Sequence, residues 1–89
     1  MRKRLQVFFS GSVQGVGFRY TARHLAERYA VTGFVRNLSN GQVELLAEGE
    51  EQTLAAFLDG IAKKMAGYIR NQDVTWSGPL HEFEDFRIA

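Results

Sequence analysis

The residues with the clearest chemical potential form a glycine-rich loop, SGSVQGVGFR, at positions 10–19. Gly11, Gly15 and Gly17 permit unusual backbone angles, so successive N–H groups can point inward and form a nest for an anion. The helix predicted to follow adds its own unpaired N–H groups and the positive end of its dipole. Arg19 stands at the start of that helix, where its planar guanidinium can hold two oxygens of a phosphate. The combination indicates a phosphate-binding site.

The same loop also has a purely structural interpretation. Considered one at a time, its residues favour that interpretation. Glycines often serve only to tighten a turn between strand and helix, and Arg19 could lie along the first helical turn as a surface residue. Two nucleotide motifs are excluded, because the loop lacks the Gly-Lys-Ser/Thr of a P-loop and the acidic residue of a dinucleotide fold. The absence of cysteine excludes the covalent route of tyrosine phosphatases.

The chain has 89 residues, of which 45% are hydrophobic and 24% charged, so we expect one globular domain over 1–89. The longest apolar run near the N-terminus is only Val7–Phe9, far too short for a signal peptide or a membrane span. We therefore expect a cytoplasmic protein with no membrane partner. We also expect it to be a monomer.

Residue types also bear on metal and nucleic-acid binding. There is no cysteine, no Asp or Glu before Glu27, and the two histidines, His24 and His81, stand far apart in the sequence. Metal ligands of the usual kinds are thus not clustered, and we expect neither a metal nor a cofactor. The net charge of only +1 does not favour nucleic acid as a partner.

Hydrophobic periodicity predicts the elements that position the loop. Alternating residues indicate strands, and apolar residues at helical spacing indicate two amphipathic helices. The predicted strands are 4–11, 31–38, 42–48, about 73–77 and 83–88, and the predicted helices are 19–29 and 50–65. The order strand, helix, strand, strand, helix, strand matches an α+β ferredoxin-like βαββαβ sandwich, with two helices on one face of an antiparallel sheet.

The pair Asn40-Gly41 predicts the turn between the second and third strands. Asn-Gly readily adopts the positive φ angles of a two-residue type I′ hairpin turn. With that turn, Asn37 would lie opposite Glu44 across the ladder.

Two separated runs, GSVQGVGFR at 11–19 and GFVRNLSNGQVE at 33–44, together resemble the acylphosphatase family. The family pattern has a Gly-x-Val-Gln-Gly-Val-x-Phe-Arg loop, followed by a Gly-aromatic-Val-basic-Asn strand and a short turn ending in Gly. The resemblance implies a hydrolase that converts an acyl phosphate to a carboxylate and inorganic phosphate, and the absence of carboxylates and thiols from the loop predicts that it needs no metal. It also implies that Arg19 binds the phosphate and that Asn37 holds the attacking water.

The rest of the loop is expected to bind the substrate's phosphate, largely through backbone N–H groups. These residues are Ser12, Val13, Gln14, Gly15, Val16, Gly17 and Phe18. Inorganic phosphate and sulfate fit the same donors and are expected to inhibit. No general acid is required, because the leaving carboxylate is stable at neutral pH.

Two alternatives remain open on the same fold. One is a non-catalytic module that binds an anion or RNA, although the Lys/Arg-Gly-aromatic strand motif of RNA-recognition domains is absent. The other is an anion-handling domain like that at the front of larger carbamoyl-transfer maturation proteins, whose further catalytic parts are missing here.

Overall fold

The computed structural model describes residues 1–89 as one five-stranded sheet covered on one face by two helices. The strands are β1 (Arg2–Gly11), β2 (Thr32–Asn37), β3 (Val43–Glu50), β4 (Ile69–Ser77) and β5 (Phe86–Ile88), and the helices are α1 (Phe18–Tyr29) and α2 (Glu51–Lys64). The strand order is β4-β1-β3-β2-β5. This arrangement confirms the predicted ferredoxin-like sandwich.

The core lies between the sheet and the helices, where the sequence periodicity predicts it. Alternate residues of β1, represented by Leu5 and Val7, are fully buried and face the apolar stripes of both helices. Phe9 packs against Phe18 of α1 with ring centroids 4.8 Å apart. This contact anchors the glycine-rich loop at both ends, because Phe9 directly precedes the loop and Phe18 lies near its end, where α1 begins.

The fifth strand corrects the prediction of an entirely antiparallel sheet. β5 pairs in parallel with β2, with Gly33 opposite Phe86 and Val35 opposite Ile88. β4 and β5 lie at opposite edges, so residues 78–85 must cross the face of the sheet that the helices leave open. The final strand is therefore shorter than predicted, because Phe83 leaves the strand line and packs on Phe34 with centroids 5.9 Å apart.

A buried carboxylate, Glu48 in β3, fastens this crossing segment to the sheet. Its oxygens accept hydrogen bonds from the N–H groups of Leu80 (2.8 Å) and His81 (2.9 Å) and from Arg4 Nε (3.0 Å). Burial by itself would raise the pKa of Glu48, but these donors outweigh it and hold the pKa below its usual range. The carboxylate thus stabilises the fold in its charged form.

We expect Glu48→Gln to lower the free energy of unfolding at pH 7 by roughly 2 kcal/mol, because Arg4 would lose its buried anionic partner. A group with a depressed folded-state pKa stabilises above its unfolded pKa, and that stability is lost as pH falls through the folded value. Denaturant unfolding between pH 3 and 7 should therefore show that the free energy of unfolding falls more steeply below about pH 4 in the unmodified protein than in Glu48→Gln. The control is Glu84→Gln, at an exposed position, which should change neither the free energy of unfolding at pH 7 nor its dependence on pH appreciably.

The connection between β2 and β3 differs from the predicted two-residue turn. Asn37 lies opposite Val43, and the N–H of Leu38 donates to the carbonyl of Gln42 at 2.8 Å, which leaves a three-residue loop, Ser39-Asn40-Gly41. Only the glycine of the pair has a positive φ, +92°, whereas a type I′ turn requires two such residues. The predicted turn type is therefore wrong, although glycine is required at that position.

The changed register also changes which residue faces Glu44. Arg36, not Asn37, lies opposite Glu44, and its Nε donates to that carboxylate at 2.6 Å on the face away from the helices. Asn37 shares its face with buried Val35, because side chains two apart in a strand point the same way. The predicted pairing of Asn37 with Glu44 is thus wrong, and Asn37 lies on the side of the sheet where α1 begins.

Candidate active site

A small pocket of about 180 Å³ joins the end of β2 to the glycine-rich loop and the first turn of α1. The residues that line it are Val13, Gly15, Gly17, Phe18, Arg19, Tyr20 and Asn37. The two predicted catalytic residues, far apart in the sequence, are thus brought together. A larger groove of about 600 Å³ lies beside β5, but Glu82, Glu84 and Asp85 line it and would repel an anion.

The loop supplies the pocket with unused backbone donors. No N–H group from Val13 through Tyr20 donates to a backbone carbonyl, and the first such bond of the helix runs from Thr21 to Gly17 at 3.0 Å. No side chain caps this helix, and no acidic residue lies in its first turn. The donors and the positive end of the helix dipole are therefore available to an anion.

Two loop glycines have the backbone conformation that this arrangement requires. The φ angles of Gly15 and Gly17 are +77° and +80°. A Cβ at either position would meet no atom within 4 Å, so conformation, not space, accounts for glycine there.

Side chains of the loop hold it in place instead of facing a ligand. Gln14 Nε2 donates to the carbonyls of Leu38 (2.7 Å) and Gln42 (3.0 Å), which ties the loop to the β2–β3 connection. The side chains of Val13 and Phe18 are buried in the core. Among the predicted substrate-binding residues, these three therefore have backbone N–H groups, not side chains, to offer a phosphate.

Gln42 forms a further connection that the sequence does not predict. Its Nε2 donates to Ser10 Oγ at 2.9 Å, and its own N–H is held by Asn40 Oδ1 at 3.0 Å. The loop, β1 and the β2–β3 connection thus form one braced unit. A glutamine directly after an Asn-Gly pair was the available sequence signal, but its partner could not be inferred from spacing.

Arg19 and Asn37 are both half-buried, and neither side chain bonds to another group of the protein. The arginines in ion pairs elsewhere have named partners: Arg4 binds Glu48 and Glu82, Arg36 binds Glu44, and Arg87 binds Asp85. A guanidinium without a carboxylate partner, beside unused backbone donors, can bind a dianion. The Asn37 amide can both accept and donate a hydrogen bond.

The remaining candidates lie outside this pocket. His24 and His81 are exposed, and no group of three or more His, Cys, Asp or Glu side chains is arranged to hold a metal ion. Neither helix is sufficiently long and apolar to cross a lipid bilayer.

The chain is similar to known proteins in sequence and in fold. A sequence model of the acylphosphatase family matches residues 5–88. An acylphosphatase of Listeria monocytogenes is 52% identical over 82 residues, which cover 90% of this chain and 88% of the relative. The crystal structure of acylphosphatase from Bacillus subtilis superposes with a TM-score of 0.89 at 32% identity and covers 98% of both chains.

A much larger protein contains a similar domain. The crystal structure of HypF from T. kodakarensis matches with a TM-score of 0.83 at 27% identity, over 98% of this chain but only 12% of HypF. The similarity to HypF is thus confined to one small part of that protein.

Proposed function

The chain belongs to the acylphosphatase family and is an enzyme, and on this premise we propose that it hydrolyses acyl phosphates by direct attack of water on phosphorus. The observation that carries the proposal is the single pocket shared by Arg19, Asn37 and the unused N–H groups of the loop. These groups can bind a phosphate and a water side by side.

Arg19 and the loop N–H groups bind the phosphoryl group in this proposal. Phosphoryl transfer depends mainly on positioning and on stabilising charge at the three equatorial oxygens. Backbone N–H groups fixed by the loop need no reorganisation during the reaction, and Arg19 contributes a full positive charge. Inorganic phosphate and sulfate would bind the same donors and therefore inhibit.

Asn37 orients the attacking water. Its amide oxygen accepts a hydrogen bond from the water, and its NH₂ group donates one, so the water is held in line with the leaving oxygen. An amide is not a strong base, so its contribution is positional. The water oxygen forms a bond to phosphorus while the bond from phosphorus to the acyl oxygen breaks, and the water proton passes to solvent.

The leaving group requires little help. A carboxylate departs as a stable anion at neutral pH, which suits a pocket lined by no carboxyl group and no imidazole. An alkyl phosphate would leave as an alkoxide, which needs a proton donor. We therefore expect selectivity for acyl phosphates over alkyl esters.

The RNA-binding alternative is disfavoured by the open face of the sheet. Residues 78–85 cross that face, and the arginines beneath, Arg4 and Arg36, are neutralised by Glu48 and Glu44. Little free positive charge is left there to attract a nucleic-acid backbone.

The direct test is hydrolysis of benzoyl phosphate by the purified protein in the presence of a chelator. We expect full turnover without divalent metal, because Arg19 and backbone N–H groups supply the positive charge. A simple alkyl phosphate, assayed in parallel, should be hydrolysed far more slowly. Loss of activity in chelator with recovery in Mg²⁺, or equal turnover of the alkyl ester, would contradict the proposed mechanism.

A further inference from the structure

Tyr20 of α1 lines the pocket on one side and contacts a second arginine, Arg23, on the other. Tyr20 lines the pocket beside Arg19 and Asn37, yet 65% of it is exposed. The guanidinium carbon of Arg23 lies 5.7 Å from the centroid of the Tyr20 ring. The ring thus connects the phosphate-binding pocket to a second positive charge at the pocket's edge.

Arg23 has no acidic partner. No carboxylate lies within 4 Å of it, and no Asp or Glu occurs in the chain before Glu27. The contact with Tyr20 is a cation–π interaction, which leaves the N–H groups of Arg23 able to bind an anion. On α1, Glu27 stands four residues after Arg23 and Arg19 four residues before it, yet Arg23 forms no ion pair with Glu27 and lies over the Tyr20 ring instead.

We propose that Tyr20 and Arg23 form a subsite for the acyl group and favour acyl phosphates that carry a distal carboxylate. The inference rests on the proposed function, because the phosphate must first be held by Arg19. Arg19 and Arg23 are four residues apart on α1, which places them about 6 Å apart along the helix axis. A four-carbon dicarboxylic acyl group separates the phosphate from the distal carboxylate by a similar length.

The donors present favour a carboxylate over a second phosphate at this subsite. One guanidinium fork matches the two oxygens of a carboxylate. A phosphate held by the same fork would keep a third oxygen without a donor, because the backbone N–H groups around Arg23 are used within the helix, unlike those of the loop. Tyr20 is a positioning residue in this proposal, since its ring holds Arg23 towards the pocket.

Two rigid substrates test the subsite. Fumaroyl phosphate carries a distal carboxylate, and crotonoyl phosphate carries a methyl group at the same place on the same trans chain. We expect the unmodified protein to have the higher kcat/KM for fumaroyl phosphate. In Arg23→Gln the ratio of the two kcat/KM values should fall about tenfold, mainly through KM for fumaroyl phosphate.

The matched control is Arg28→Gln, which removes the same charge from an exposed position at the other end of α1 and should leave the ratio unchanged. Tyr20→Phe should preserve the ratio because the ring remains, whereas Tyr20→Ala should lower it.

The proposal would be overturned by a ratio in Arg23→Gln within twofold of that of the unmodified protein, by an equal fall in Arg28→Gln, or by no effect of Tyr20→Ala. Hydrolysis of both substrates at one rate would overturn the subsite alone. Hydrolysis of neither would overturn the proposed function as well.

Discussion

Arg19→Ala is expected to lower kcat/KM for an acyl phosphate by about a hundredfold or more, which corresponds to about 3 kcal/mol of lost transition-state stabilisation. The half-buried guanidinium lines the candidate pocket and has no carboxylate partner, so in the proposed mechanism its charge is available to substrate in the ground state and in the transition state. Phosphate affinity, measured by titration, should therefore fall together with turnover. Arg19→Lys should have a kcat/KM and a phosphate affinity between those of the unmodified protein and of Arg19→Ala, because lysine keeps the charge but loses the planar pair of guanidinium donors.

The stability of the variant separates this role from a structural one. A positive charge at a helix N-terminus opposes the helix dipole, so Arg19→Ala should leave the free energy of unfolding unchanged or raise it by up to about 0.5 kcal/mol. Arg28→Ala, at the favourable end of the same helix, serves as the control and should leave kcat and phosphate affinity unaltered. A variant at Arg19 that loses stability, or that binds phosphate as well as the unmodified protein, would contradict the assignment.

The sequence predicted the elements well where hydrophobic periodicity determines them. In β1 and in both helices the apolar residues recur at spacings that give one buried face, and Leu5, Leu25 and Leu54 are buried as those patterns require. The strand before the glycine-rich loop and the helix after it are predicted by the same periodicity. The pairing of Arg19 with Asn37 in one pocket came from resemblance, because neither spacing nor composition indicates that β2 ends beside α1.

Two features depended on contacts that a linear pattern does not contain. The pair Asn40-Gly41 is compatible with a two-residue or a three-residue loop, and the side chain of Asn40 binding the N–H of Gln42 accompanies the longer one. The parallel strand β5 depends on residues 78–85 crossing the open face, where Glu48 holds them. The sequence does not indicate that Glu48 is buried or which groups bind its carboxylate.

Asn37→Ala is expected to lower kcat by about a hundredfold while phosphate affinity stays within about twofold of that of the unmodified protein. The side chain has no hydrogen bond to the protein, so its removal leaves no protein group unpaired and should change the free energy of unfolding by less than about 0.5 kcal/mol. The expected loss is confined to orientation of the water.

A second substitution at the same position distinguishes water positioning from phosphate binding. Asn37→Asp keeps the shape and one acceptor, but it removes the NH₂ donor and adds a negative charge to the pocket proposed to bind the phosphate. It should therefore weaken phosphate binding by repulsion, whereas Asn37→Ala should not. Asn71→Ala, on the exposed edge strand β4, is the matched control and should alter neither quantity.

The decisive comparison is phosphate titration and steady-state kinetics on Arg19→Ala and Asn37→Ala under one set of conditions. If Arg19 binds the anion and Asn37 holds water, the first variant loses affinity and turnover, and the second loses turnover alone. This difference follows from their positions, because Arg19 lies at the helix end beside the unused N–H groups and Asn37 reaches the pocket from β2. Equal loss of phosphate affinity in both variants, or full turnover in Asn37→Ala, would contradict the assignment of anion binding to Arg19 and of water positioning to Asn37.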